Sequence, residues 1–240
     1  MEPRPSVIQT RLSDVNRVIA VASGKGGVGK SMVASTLALS LSKKGKKVGL
    51  LDLDLYGPSS HIILGFTPDG FPDEEHGIIP QQIEGIKFMS LVYFSEDKPG
   101  AFRGDDVTNI ILELLAITRW DDLDCLILDL PPGIGDETLD VISYIPQTEF
   151  LVVTTPSLVA FGAVEKLLKI LIEGQLPLLG VVENMVRDSN DLITKKISSY
   201  QVNYLGSLSF DEKIEDAIGN AKKLISTNFA KDVSTMIERI

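Results

Sequence analysis

The chain has 240 residues, a formal net charge of −10, and 44% hydrophobic and 23% charged residues spread along its length, enough for one sizeable core. The acidic balance argues against non-specific nucleic-acid binding and against docking on an anionic membrane, and the lone Cys125 excludes both intrachain disulfides and any Cys-x-x-Cys site. No apolar run is long enough to span a bilayer, and Met1-Glu2-Pro3-Arg4-Pro5 is not a signal-peptide pattern, so a cytoplasmic protein is expected.

Residues 1–16 are polar with two prolines and no clear period, which predicts an N-terminal tail or loosely docked arm. Arg17 to Ser23 is apolar and reads as a strand buried on both faces. A glycine-rich loop follows, then a helix over Ser31 to Lys43 with Val33, Leu37 and Leu41 at helical spacing. Val48 to Leu53 reads as a second buried strand, ending on Asp52-Leu53-Asp54. From Tyr56 to about Gly77 turn signals dominate, and Ile78-Ile79 and Ile86 to Leu91 are short strand-like runs. A helix is expected over Asp105 to Thr118, a third buried strand over Cys125 to Leu130, and a short helix over Asp136 to Ile145. Beyond these the pattern predicts strand Glu149 to Thr154, helix Leu158 to Glu173, strand Leu178 to Glu183 and helix Asp191 to Ser199. Strand Val202 to Leu208 and helices Asp211 to Gly219 and Phe229 to Ile240 close the chain. Apolar strands alternating with helices imply an α/β fold over residues 17–240: a doubly wound, mostly parallel sheet with helices on both faces.

The loop Gly24-Lys25-Gly26-Gly27-Val28-Gly29-Lys30-Ser31 is the G-x-x-x-x-G-K-S pattern between a strand and a helix, the setting that gives it meaning. Glycines let successive backbone N–H groups turn toward a polyphosphate. Lys30 then reaches the outer phosphates and the Ser31 hydroxyl can ligate Mg²⁺, while Met32 opens the helix whose N-terminus faces the anion. Gly24 to Met32 are therefore candidate nucleotide-binding residues. Asp52, Asp54 and Asp129 occupy strand ends, where ligands lie in doubly wound sheets, and with Ser31 they form the candidate Mg²⁺ set. Pro131-Pro132-Gly133-Ile134-Gly135-Asp136 follows Asp129 and reads as a switch segment sensing the γ-phosphate.

Taken together these pieces resemble the MinD/ParA superfamily of P-loop ATPases, and most closely its Mrp/ApbC branch. The resemblance is carried by Val18 to Ser31, Asp52 to Ser59 (DLDLYGPS), Arg103-Gly104, Asp129 to Asp136 (DLPPGIGD) and Gly180 to Met185 (GVVENM). It implies a P-loop NTPase fold, ATP and Mg²⁺ as cofactors, and a homodimer closed around a nucleotide sandwich. Lys25 falls at the superfamily's signature lysine, which reaches the partner's phosphates. Asp54 falls where the family orients the attacking water, so Lys25, Lys30 and Asp54 are the candidate catalytic residues. Asn184 is placed to hydrogen-bond adenine. The function implied is an ATP-hydrolysing switch or carrier in iron–sulfur or other metallocofactor assembly, with a protein client as a further partner. The alternatives are a positioning or regulatory ATPase, or a nucleotide-binding scaffold. Family members that carry clusters have a Cys-x-x-Cys after the E-N-M segment; here Val186-Arg187-Asp188-Ser189-Asn190-Asp191 holds no thiolate, which argues against an iron–sulfur cluster. The family's R-G-P segment is altered too, reading Arg103-Gly104-Asp105.

The remaining signals favour structural readings. Asp73-Glu74-Glu75-His76 is expected to be a solvated acidic loop, and His61 to pack or face water. The stripe Phe229, Val233, Met236, Ile237 and Ile240 has a charge-balanced polar face, so it reads as a helix covering the sheet rather than a membrane anchor. Trp120 has no evident chemistry.

Overall fold

The structure, a computed structural model, describes residues 4–54, 57–67, 70–93, 105–133, 135, 139, 143–188 and 191–240. Three Val/Ile/Leu/Ala-rich strands buried along their whole length form its centre: β1 (Val18–Ser23), β2 (Val48–Asp52) and, later in the chain, β5 (Cys125–Asp129). Between β2 and β5 come β3 (Gln81–Ile83) and β4 (Ile86–Ser90), and after β5 come β6 (Glu149–Thr154), β7 (Leu178–Val186) and β8 (Tyr204–Ser209). The eight strands form one sheet in the order β3-β4-β2-β5-β1-β6-β7-β8, and every pairing is parallel except β3 with β4. Parallel strands must be covered on both faces, which is why their sequences are apolar blocks rather than alternations.

The helices that cover the sheet are α1 (Arg4–Arg11), α2 (Lys30–Lys43), α3 (Ser60–Leu64), α4 (Asp105–Ile117), α5 (Leu158–Glu173), α6 (Asp191–Ser199), α7 (Ile214–Ala217), α8 (Ala221–Leu224) and α9 (Asn228–Ile237) among the described residues. The fold is the expected α/β architecture. Register does the functional work: Asp52 on β2 pairs with Asp129 on β5, and Val21 of β1 pairs with Asp129 from the other side. Adjacent strands lie about 4.8 Å apart, so two acidic strand ends and the loop after β1 are brought together by pairing alone.

Several local expectations are corrected. The N-terminal segment forms α1 against α4, with Ile8 and Leu12 buried and Arg11 Nε donating to the Ala116 carbonyl at 3.0 Å. Two apolar residues one turn apart suffice to dock it, a stripe too short to stand out among polar neighbours. Ile78 makes only isolated bridges, to Glu74 and Thr118, and the edge strand lies three residues further on as β3. Helix α7 spans only four of the nine residues expected, because the Asp211 carboxylate accepts from the amides of Lys213 and Asn228 and so builds a turn. Strand β7 runs on to Val186. Helices α3 and α8 are too short to show a period and left no signal in the sequence. The helix expected over Asp136 to Ile145 lies largely outside the described residues, as do Arg103 and Gly104. Phe229, Val233 and Met236 are buried and α9 packs on β8 and α2, the covering role expected of that stripe. Trp120 is a core residue; a Cβ on Gly49 would lie 2.9 Å from its ring.

Candidate functional site

The chain leaves β1 at Ser23, whose buried hydroxyl donates to the Lys25 carbonyl at 3.0 Å and starts the loop turning. Gly24 is required by packing: a Cβ there would stand 2.5 Å from Ala163 C and Val164 N on the backbone of α5. Gly27 and Gly29 sit at φ 77° and 81°, where L side chains are strained. Gly29 is also the N-cap of α2 and offers no side-chain cap, so the helix's first amides stay available to an anion. The loop from Lys25 to Met32 lines a cavity of about 340 Å³ with Asp54, Gly57, Ser59 and Pro132 on its other walls. Lys25 is exposed.

Lys30 behaves differently. Its side chain is 6% exposed, and its ammonium donates to Asp129 Oδ1 and lies 3.5 Å from Ser31 Oγ. Asp129 is fully buried, and its Oδ2 accepts from Ser60 Oγ at 3.2 Å. Asp52, also fully buried, accepts from the Asp54 amide at 3.1 Å through Oδ1 and from the Ser59 and Ser60 amides at 3.1 and 3.0 Å through Oδ2. Burial first, and then the negative charge of Asp129, push the Asp52 carboxyl up to about 7 against the backbone donors and Lys30. Asp54 is half-buried on the cavity wall, and its Oδ1 accepts from the Gly57 amide at 3.1 Å.

Lys30, Ser31, Asp52, Asp54 and Asp129 are thus brought to one place. Among the described residues no three acidic, histidine or cysteine side chains converge as a ligand group, and Asp52 spends both oxygens on the loop that follows it. Ser31, Asp54 and Asp129 carry oxygens beside the loop of the kind that suits a hydrated Mg²⁺. Ser60 was missed: a single hydroxyl carries no signal until its partner is known. The segment expected to act as a switch meets the end of β1, with the Gly133 amide donating to Ser23 O at 2.9 Å and Gly133 at φ 97°; Ile134 and Asp136 lie outside the described residues.

Asn184 is buried beside a second cavity of about 380 Å³, which shares Gly29 and Met32 with the loop and is walled by Met185, Phe210, Ile214 and Phe229. Its amide nitrogen donates to the Val28 carbonyl at 2.9 Å, and a Cβ on Gly29 would lie 2.3 Å from that nitrogen. Asn184 therefore braces the loop, a contact the sequence did not reveal.

Arg187 stacks 3.8 Å above the Phe210 ring. Cys125 is buried in β5 at the opposite end of the strand from Asp129, and burial pushes its thiol up to about 12, far from the thiolate a cluster needs. Asp188 and Asp191 flank the two undescribed residues of the segment after β7.

Comparison with known proteins matches residues 14–240 to the ParA family described as NUBPL iron-transfer P-loop NTPase. The iron–sulfur cluster carrier protein of Aquifex aeolicus is 35% identical over 96% of this chain and 68% of its own length. That of Escherichia coli K12 is 41% identical over 74% of this chain but 48% of its own length, so the chain spans only about half of that relative. Among solved structures, a nucleotide-binding protein of Archaeoglobus fulgidus in complex with ADP superposes with a TM-score of 0.77 at 29% identity, covering 92% of each chain.

Proposed function

We propose that this chain, which belongs to the ParA family of NUBPL-type iron-transfer P-loop NTPases, is a Mg²⁺-dependent ATP-binding and hydrolysing switch acting as a homodimer in iron–sulfur or other metallocofactor assembly. The observation that carries the reading is the buried Lys30 ammonium, held by Asp129 at the base of a glycine loop whose helix N-terminus is uncapped by any side chain. Such a site binds a polyphosphate through backbone amides, an ammonium and a helix dipole at once. The ADP complex of the A. fulgidus relative supports the ligand class.

In this reading Lys30 exchanges Asp129 for the outer phosphates. Ser31 and Asp129 would hold Mg²⁺, Asp129 through the ion's water, and the ion would neutralise charge developing on the transferred phosphoryl group. Asp54, on the cavity wall, orients the attacking water, and exposed Lys25 completes the partner's site. Asn184 has its nitrogen committed to Val28, so its Oδ1 is the atom to accept from the exocyclic amine of adenine. Loss of the γ-phosphate is sensed at Gly133.

The lone buried cysteine supports a narrower form of this function: these 240 residues hold no cluster through thiolates, and the nucleotide gates contact with a client instead. A positioning or regulatory role of the ParA kind is the second reading, favoured by the same observation. The test is ATP turnover together with dimer formation measured by light scattering. Lys30→Ala should abolish ATP binding, and Asp54→Ala should accumulate an ATP-bound dimer. Unchanged turnover in both variants would sink the mechanism. Anaerobic reconstitution with iron and sulfide should leave no stable chromophore; one cluster per dimer would refute the narrower form.

A further inference from the structure

We propose that Ser60 is a positioning residue for Mg²⁺-dependent nucleotide binding: its hydroxyl holds Asp129 toward the phosphate loop when Lys30 leaves it. The proposal rests on the ATP reading above. Lys30, Asp129, Ser60 and Asp52 are all buried and joined in sequence, Lys30 Nζ to Asp129 Oδ1, Ser60 Oγ to Asp129 Oδ2 at 3.2 Å, and Ser60 N to Asp52 Oδ2 at 3.0 Å. Two carboxylates on paired strands thus lie near one ammonium, which bonds Asp129.

Ser60 is fixed from both sides. Its amide is bound to Asp52, and α3, which it opens, ends at Gly65 against Gly219, where a Cβ would lie 2.1 Å from the Gly219 carbonyl oxygen. Gly219 N in turn donates to Ile63 O at 3.2 Å. The hydroxyl is therefore presented to Asp129 by a wedged helix and cannot follow the carboxylate elsewhere.

In the nucleotide-free protein Asp129 is held at both oxygens. When a polyphosphate draws the Lys30 ammonium away, Oδ1 is released to the ion's water, and the contact of Ser60 with Oδ2 keeps the carboxylate from turning. Removing that donor leaves a buried acceptor unpaired, an arrangement that favours rotation of the carboxylate toward another donor. Rotation takes the negative charge away from the metal. The cost falls on the Mg²⁺-bound state, because only the ion needs the carboxylate held in one orientation; without it Asp129 can turn with little effect on the nucleotide.

The test is calorimetric titration of ADP into wild type and Ser60→Ala, with and without Mg²⁺. The Mg²⁺ concentration that gives half-maximal enhancement of ADP affinity should rise about tenfold, the loss of one hydrogen bond to a charged group. Affinity for ADP without Mg²⁺ should stay within about twofold. Ser60→Cys, equal in shape with a weaker donor, should fall between, and decides alone if Ser60→Ala does not fold. An unchanged Mg²⁺ midpoint overturns the proposal, as does an equal loss with and without Mg²⁺, which is what a merely structural serine gives. Wild type that binds ADP with no response to Mg²⁺ overturns the ATP reading itself, an outcome distinct from variants that respond like a responsive wild type.

Discussion

At their amino ends β1, β2 and β5 are flanked by ion pairs that face water; at their carboxyl ends β2 and β5, with Lys30 beyond the loop after β1, carry charge into the core. Arg17, before β1, binds Glu149 through two hydrogen bonds of 2.7 and 3.1 Å. Lys47, before β2, pairs with Asp122, and Lys46 lies 3.9 Å from Asp124, before β5. These groups are partly or largely exposed, and such pairs contribute about 0–1 kcal/mol each. At the other end Lys30, Asp52 and Asp129 are buried, two carboxylates to one ammonium among the described residues. Burying a charge costs several kcal/mol unless it is fully paired, so stability alone would not select this set. The imbalance fits a place reserved for a polyphosphate and a divalent cation.

Breaking the buried end should have the largest effect. Lys30→Ala takes from Asp129 the ammonium that pairs it, and loss of one partner of a buried pair costs about 3–5 kcal/mol. Urea unfolding at pH 8 should show that loss, and at pH 6 a smaller one, because Asp52 can then hold a proton beside Asp129. Equal stability of wild type and variant at both pH values would mean the pair is solvated. Next in size is Gly24→Ala, where the new methyl meets two backbone atoms of α5 at 2.5 Å and a loss of about 1–3 kcal/mol is expected. Gly26→Ala is its control: the nearest atom is Pro132 Cβ at 3.9 Å, so the fold should keep its stability. Similar unfolding midpoints for the two alanine variants would refute the packing role given to Gly24.

The buried end was largely legible in the sequence because its residues sit at strand ends beside a loop of fixed spacing, and parallel pairing does the rest. Asp52 and Asp129 could be placed together without coordinates. Their division of labour could not, since it depends on which backbone amides the chain after β2 turns inward. Ser60 and the bond from Asn184 to Val28 were hidden for a related reason: a hydroxyl or an amide acquires a role only from its partner. The exposed end was read less well. The apolar anchor of helix α1 is just Ile8 and Leu12, and β3 is three residues, Gln81 to Ile83, with a single buried side chain. Tertiary contact, rather than local periodicity, makes these elements.

The pH dependence of the nucleotide-free protein sharpens the comparison further. Asp52 is raised from 3.8 to about 7, so the folded state keeps a proton that the unfolded chain releases. The associated stability is fully present below about pH 4 and lost as pH rises through about 7, with a slope of at most about 1.4 kcal/mol per unit. Glu183, raised by burial, adds in the same direction, while Asp121, lowered mainly by its bond to Lys87, acts only on the acid side. Urea midpoints between pH 5 and 8 should therefore fall, and Asp52→Asn should flatten the fall. A midpoint that rises across this range in wild type would show Asp52 ionised throughout.

The smallest effect belongs to the exposed end, and its salt dependence separates it in kind. A double-mutant cycle on Arg17 and Glu149 should give a coupling of about 0.2–1 kcal/mol at low salt. Half a molar salt shortens the Debye length to roughly 4 Å, and the coupling should shrink accordingly. The contribution of Lys30 in the nucleotide-free protein should change little with the same salt, because its pair with Asp129 is closed to solvent. If the Arg17 coupling proved as large and as salt-insensitive as the Lys30 effect, burial would not be what distinguishes the two ends. The carboxyl-end charges would then need no ligand to account for them.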